Sequence, residues 1–117
     1  MKRIYHLSTC STNRAMLAQI NTDDVELINI KTHPINADDL ETAYRHIGSY
    51  EALFNKHARK YKAMSPDEKP TNDADYKKLI LSDYTFLKRP VAFIGDTITA
   101  GNSQENIGIL QCLLGAK

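Results

Sequence analysis

The order of strand-like and helix-like segments constrains this chain more than any other feature of its sequence. Short segments rich in β-branched and aromatic residues lie at 3–7 and 25–30, and apolar residues with helical spacing lie between them at 14–20. A strand, a helix and a strand in this order, joined by the usual right-handed crossover, predict a parallel βαβ unit.

The carboxyl-terminal end of the chain predicts two strands and a helix. Residues 91–94 and 97–99 are strand formers separated by a Gly-Asp pair, which is typical of a hairpin turn. Asn102, with Glu105 three residues later, predicts the start of a helix that runs to about Leu114.

The residues between these two ends have a helical pattern. Asn36 is a typical N-cap for a helix at 37–46, and Asn72 is one for a helix at 73–82. A basic segment at 56–62 is more typical of a solvated helix face than of an anion-binding or acidic-partner surface.

The complete order, βαβ followed by helices and then ββα, predicts the fold class. It is an α/β fold with a thioredoxin-like mixed sheet in a single domain, 1–117, and with an inserted helical subdomain at about 33–82. In thioredoxin-like domains the proline before the third strand, here Pro90, is typically cis and faces the reactive cysteine.

Composition excludes several classes of protein. Fifteen basic and fourteen acidic residues give a formal charge of +1, which argues against direct, sequence-independent binding to nucleic acid. Two cysteines are too few for a disulfide scaffold, and also for a cysteine-based zinc site unless two of the four histidines join them. The longest purely apolar run, 91–94, is too short to span a membrane. We therefore expect a cytoplasmic protein with reduced thiols and no metal.

Cys10 is the residue whose predicted position has chemical consequences. It lies between a strand and a helix, where unpaired backbone N–H groups favour a thiolate and can bind an oxyanion. Arg14 lies one helical turn further on, and His6 lies in the preceding strand as a second polar neighbour or proton carrier. The alternative for Cys10 is a small buried side chain. For Cys112, within an apolar helical stretch, the buried interpretation is favoured.

The segment around Cys10, Tyr-His-Leu-Ser-Thr-Cys-Ser-Thr-Asn-Arg, resembles the active-site segment of the ArsC/Spx family, which contains glutaredoxin-linked arsenate reductases and Spx regulators. The segments at 53–56 and 87–91, and Gly-Asn before the last helix, resemble further family segments. The resemblance implies that Cys10 is the nucleophile and that Arg14 holds its thiolate.

The same resemblance implies roles for further residues. His6 matches a histidine of the reductases, and the substrate-binding positions are Ser11, Thr12, Asn13, Arg89 and Pro90. The reductases carry one more arginine where this chain has Asn55, and another near Gly101 or Asn102.

The function implied by the resemblance is an arsenate reductase-like thiol oxidoreductase without a bound cofactor. Its substrate is a small oxyanion or an oxidised thiol, and glutathione or glutaredoxin supplies the electrons. One alternative is a Spx-like, non-catalytic regulator that contacts RNA polymerase, although Asn13 stands where many such regulators carry a second cysteine. Another alternative is a family member without arsenate activity.

Overall fold

The computed structural model describes all 117 residues and contains four strands and five α-helices. In chain order the elements are β1 (Lys2–His6), α1 (Ser11–Leu17), β2 (Glu26–Asn29), α2 (Ala37–Ile47), α3 (Arg59–Lys62), α4 (Asp73–Ser82), β3 (Val91–Ile94), β4 (Thr97–Ala100) and α5 (Gln104–Leu114). The chain divides into two compact units, one formed by Met1–His33 with Arg89–Lys117 and the other by Pro34–Lys88.

The first unit contains the whole sheet, in the order β2-β1-β3-β4. β1 pairs parallel with β2, whereas β3 runs antiparallel to both β1 and β4. This is the mixed βαβ…ββα sheet of the thioredoxin-like fold, so the predicted fold class is confirmed. The predicted hairpin is also present, with Gly95 at φ +59° in the turn.

One buried apolar cluster of the first unit lies on one face of this sheet. Residues from β1, β3, the α1 segment and α5 form a single buried apolar cluster. Its members are Ile4, Met16, Ile20, Ala92, Ile94, Ile107 and Leu110. α1 and α5 thus both bury apolar side chains in this cluster.

The second unit consists of helices and two short 3₁₀ turns, and it lies between β2 and β3 in the chain. Two of its helix starts are the predicted ones: Asn36 accepts the N–H of Asp39 at 2.7 Å, and Asn72 accepts the N–H of Asp75 at 3.0 Å. Phe54 packs against the rings of Tyr61, Tyr76 and Phe86 with centroid distances of 5.1–5.3 Å. The unit extends to Lys88, six residues beyond the predicted insertion.

The basic segment at 56–62 forms a solvated face, as its composition predicted. Its four cations are exposed, and Lys56 and Lys60 form ion pairs with Glu51 and Asp83 of the same unit. Separately, none of the helices is long and apolar enough to cross a bilayer.

Two predicted helix starts were wrong. α1 begins at Ser11 and ends at Leu17, three residues earlier at each end than the predicted 14–20, because its first residues are polar and carry no apolar periodicity. The N-cap of α5 is Ser103, whose hydroxyl accepts the N–H of Asn106 at 3.1 Å, and not Asn102.

The predicted burial of Cys112 was also wrong, because its side chain is exposed. Ile107 and Leu110 face the core, and Leu110 is fully buried. Cys112 lies two residues beyond Leu110, about 200° around the helix, so it points away from the sheet. Its apolar neighbour Leu113 is exposed as well.

Candidate active site

The turn between β1 and α1 carries Cys10. The Cys10 N–H donates to the Leu7 carbonyl at 3.0 Å, and the Cys10 carbonyl accepts the N–H of Arg14 at 3.0 Å. Cys10 is thus the N-cap of α1, with extended backbone angles of φ −85° and ψ 117°, and its side chain is half-buried. The thiol lies where unpaired N–H groups of the first helical turn favour a negative charge.

The pKa of Cys10 is lowered from 9.0 to about 7. Burial of the thiol opposes ionisation, but three groups outweigh it: the Thr12 hydroxyl, the Asn13 backbone N–H and the Arg89 guanidinium. The Thr12 hydroxyl is 3.0 Å from the sulfur. The lowered pKa favours the thiolate near neutral pH, and the thiolate is the nucleophilic form of cysteine.

Arg89 is the cation that stabilises this thiolate. The pairing of β1 with β3 explains how it comes there: Tyr5 lies opposite Val91 in antiparallel register, so the residues after β1 and before β3 share one edge of the sheet. The Nε and Nη1 atoms of Arg89 are buried and have no hydrogen-bond partner. A guanidinium with unpaired donors beside a thiolate can bind an anion that approaches the sulfur.

Pro90 follows Arg89 through a cis peptide bond. The carbonyl of Pro90 accepts the N–H of Gly101 at 2.9 Å, which joins the start of β3 to the end of β4. Pro90 itself is fully buried.

Arg14, expected to hold the thiolate, makes a different contact. Its Nη1 atom donates to the carbonyl of Ser8 at 3.4 Å, and the side chain is exposed. Arg14 therefore contacts the backbone of the loop and not the Cys10 sulfur. The positive charge that favours the Cys10 thiolate belongs to Arg89. The sequence predicted Arg14, one helical turn from Cys10, in this role.

Asn29 is a residue of this site that the sequence reasoning missed. Its Nδ2 atom donates to the Ser8 hydroxyl at 3.0 Å, and its Oδ1 atom accepts the Ser8 N–H at 3.5 Å. Asn29 ends β2, and the carboxyl ends of parallel neighbours β1 and β2 lie at the same edge. A polar residue at the end of the second strand of a βαβ unit was the signal that could have found it.

His6 lies at the end of β1, opposite Asn29. Burial lowers the pKa of its imidazole, and its buried Nδ1 atom has no hydrogen-bond partner. The role of His6 as a proton carrier stays a prediction.

The three residues after Cys10 differ in what they present to solvent. Ser11 and Thr12 are exposed, whereas Asn13 is only 1% exposed. The Oδ1 atom of Asn13 accepts the N–H of Leu7 at 2.9 Å. The Asn13 side chain therefore supports the loop from inside.

Asn55 stands where the reductases carry an arginine, and its side chain is fully engaged within the second unit. Its Nδ2 atom donates to the Thr85 carbonyl at 3.2 Å, and its Oδ1 atom accepts the N–H of His57 at 3.1 Å. The Asn55 amide therefore links residues 57 and 85 through one acceptor and one donor. An arginine has no acceptor and could not make both contacts.

The sequence of residues 5–110 matches that of the ArsC family along nearly the whole chain. The chain belongs to the ArsC family. The matched range includes the complete Cys10 turn and the Arg89 position. A search of curated proteins found no significant match.

Solved structures share the ArsC-family fold with this chain. The arsenate reductase from Vibrio cholerae is 18% identical, with a TM-score of 0.75 and coverage of 93% of this chain and 96% of that chain. An arsenate reductase-related protein from Brucella melitensis is 18% identical, with a TM-score of 0.67 and 92% coverage of both chains. A Staphylococcus aureus protein is 27% identical, with a TM-score of 0.69 and coverage of 94% and 98%.

Proposed function

We propose that this ArsC-family chain is a thiol oxidoreductase in which Cys10 is the only nucleophile. Its substrate is a small oxyanion of the arsenate type or an oxidised thiol. The observation that carries the proposal is the pairing of a thiol of pKa about 7 with a guanidinium whose buried Nε and Nη1 atoms have no partner. Such donors fit the oxygen atoms of an anion that the sulfur attacks.

The chemistry begins with attack of the Cys10 thiolate. On arsenate the sulfur forms a bond to arsenic, and a protonated oxygen leaves as water. Two thiols supply the two electrons that convert As(V) to As(III), so arsenate and two thiols give arsenite, a disulfide and water. On a glutathionylated substrate the thiolate attacks the disulfide sulfur instead and the substrate thiolate leaves.

The electron donors in this proposal are external thiols. Cys10 has no second cysteine in its turn, because the residue three positions on is Asn13. Cys112 is exposed on α5 as a free thiol, and nothing supports a resolving role for it. We therefore expect glutathione or a glutaredoxin to resolve the enzyme-bound intermediate, in the reducing conditions of the cytoplasm.

The test is a coupled assay with glutathione, glutaredoxin, glutathione reductase and NADPH. Arsenate and a glutathionylated peptide are supplied in separate reactions, and glutaredoxin is left out of the peptide reaction because it would reduce the peptide by itself. We expect NADPH oxidation with at least one of them, loss of turnover in Cys10→Ser, and retention in Cys112→Ser. Turnover with the peptide alone would assign the oxidised-thiol substrate.

A matched variant tests the anion-binding part of the proposal. Arg89→Lys keeps the positive charge but lacks the planar set of donors, so we expect a higher KM for arsenate and a smaller change in kcat. The alternative is tested in a pull-down with the RNA polymerase α-subunit domain. If neither substrate is turned over and the protein is retained on that domain, the protein is a Spx-like regulator and the proposal of an enzyme is wrong.

A further inference from the structure

Asn13 is the most deeply buried polar side chain of the first unit, and it lies one residue beyond Thr12 in the nucleophile turn. It is 1% exposed, against 6% for Thr99, the other buried polar residue. Burial of an amide is costly unless its polar atoms are hydrogen-bonded, and here only the Oδ1 atom offsets that cost, because the buried Nδ2 atom has no hydrogen-bond partner.

The contact of the Asn13 side chain identifies its structural task. Its Oδ1 atom accepts the N–H of Leu7 at 2.9 Å, and Leu7 is the residue that links β1 to the turn. The Leu7 carbonyl in turn accepts the Cys10 N–H at 3.0 Å. A single buried amide therefore connects α1 to the end of β1 across the residues that carry the thiol.

The backbone of the same residue acts on the sulfur. The Asn13 N–H is one of the three groups that favour the Cys10 thiolate. The side chain of Asn13 thus fixes the turn in which its own N–H and the neighbouring Thr12 hydroxyl face the sulfur. Other side chains of the turn do not duplicate this contact, because Arg14 and Asn29 hold Ser8 and not Leu7.

We infer that Asn13 is a positioning residue of the active site: its buried amide fixes the β1–α1 turn in the geometry that brings Thr12 and the Asn13 N–H to the Cys10 sulfur. This inference rests on the proposed function in that Cys10 is the reacting group. It gives position 13 a structural task in the thiol's environment, distinct from direct contact with a substrate.

The decisive measurement is the pH dependence of iodoacetamide alkylation, carried out in a Cys112→Ser background so that only Cys10 reacts. Asn13→Ala removes the acceptor, and Asn13→Leu removes it while filling a similar volume. We expect the midpoint of the alkylation profile to rise by about one pH unit in both variants, which is a roughly five-fold loss of thiolate at pH 7.

The control is Met16→Ala, which weakens the packing of the same helix from the core side without touching the turn. It lowers the melting temperature, and its alkylation midpoint stays at about pH 7. A midpoint of about 7 in both Asn13 variants would overturn the inference, whereas a wild-type midpoint of 8.5 or higher would instead overturn the proposed function.

A second measurement applies to the wild-type protein and does not depend on the folding of any variant. We expect the Leu7 amide proton to be protected from hydrogen exchange as strongly as the paired amides of β1. Exchange of the Leu7 amide at the rate of an exposed loop would overturn the inference, because the hydrogen bond to Asn13 would then not be maintained.

Discussion

Replacement of Thr12 by valine isolates one contribution to the reactivity of Cys10. The substitution keeps the shape of the side chain and removes only the hydroxyl that lies 3.0 Å from the sulfur. Thr12 is exposed, so its loss leaves no buried group unpaired and disturbs the fold little. The change therefore acts on the thiolate and not on the stability of the domain.

The expected magnitude follows from the geometry. A hydrogen bond to a charged group contributes about 1.5–3 kcal/mol, and an exposed one lies at the lower end because water competes for the thiolate. One pKa unit corresponds to about 1.4 kcal/mol. We therefore expect the pKa of Cys10 to rise from about 7 by roughly one unit in Thr12→Val.

The assay follows the rate of alkylation by iodoacetamide from pH 5 to pH 10 in a Cys112→Ser background. The midpoint reports the pKa, and the plateau at high pH reports the intrinsic reactivity of the thiolate. Thr12→Ser keeps the hydroxyl and should keep the midpoint. Ser11→Ala removes a neighbouring exposed hydroxyl that is not bonded to the sulfur and should also leave it unchanged. Coincident profiles for Thr12→Val and wild type would refute the reasoning.

Three further outcomes test the fold around the site. Ser103→Ala should lower the free energy of unfolding by about 1 kcal/mol in urea titrations, and Asn102→Ala should leave it unchanged, since the observed cap is Ser103. A loss of stability in Asn102→Ala but not in Ser103→Ala would instead identify Asn102 as the N-cap. Leu110→Ala should cost about 2–5 kcal/mol because it opens a cavity in a fully buried position. Cys112→Ser should stay within about 0.5 kcal/mol of wild type, because Cys112 is exposed, and a loss comparable to that of Leu110→Ala would contradict its placement.

Some parts of the fold could be predicted because their signals are local. Asn36 and Asn72 begin their helices as predicted, since an asparagine side chain can pair the first free N–H groups only when it stands at the cap. Gly48 ends α2 with φ +91°, a conformation that favours glycine. In each case the residue that decides the boundary lies within a few positions of it.

Other parts could not be predicted, because they depend on which face of an element meets the core. The stretch around Cys112 is mostly apolar, so the sequence could not show that Ile107 and Leu110 are buried in the core while Cys112 is exposed. The start of α1 was misplaced for a related reason: Ser11 and Thr12 lack apolar periodicity, and the turn before them is held by Asn13 and Asn29 through contacts with residues 7 and 8.

The sequence by itself determined the order of the elements, the thioredoxin-like class of the sheet and the position of one cysteine between a strand and a helix. Hydrophobic periodicity and capping residues are local properties, and they suffice for these conclusions. The tertiary structure decided which cation serves that cysteine. Arg89 lies far from Cys10 in the chain, and only the antiparallel pairing of β1 with β3 brings both to one edge of the sheet.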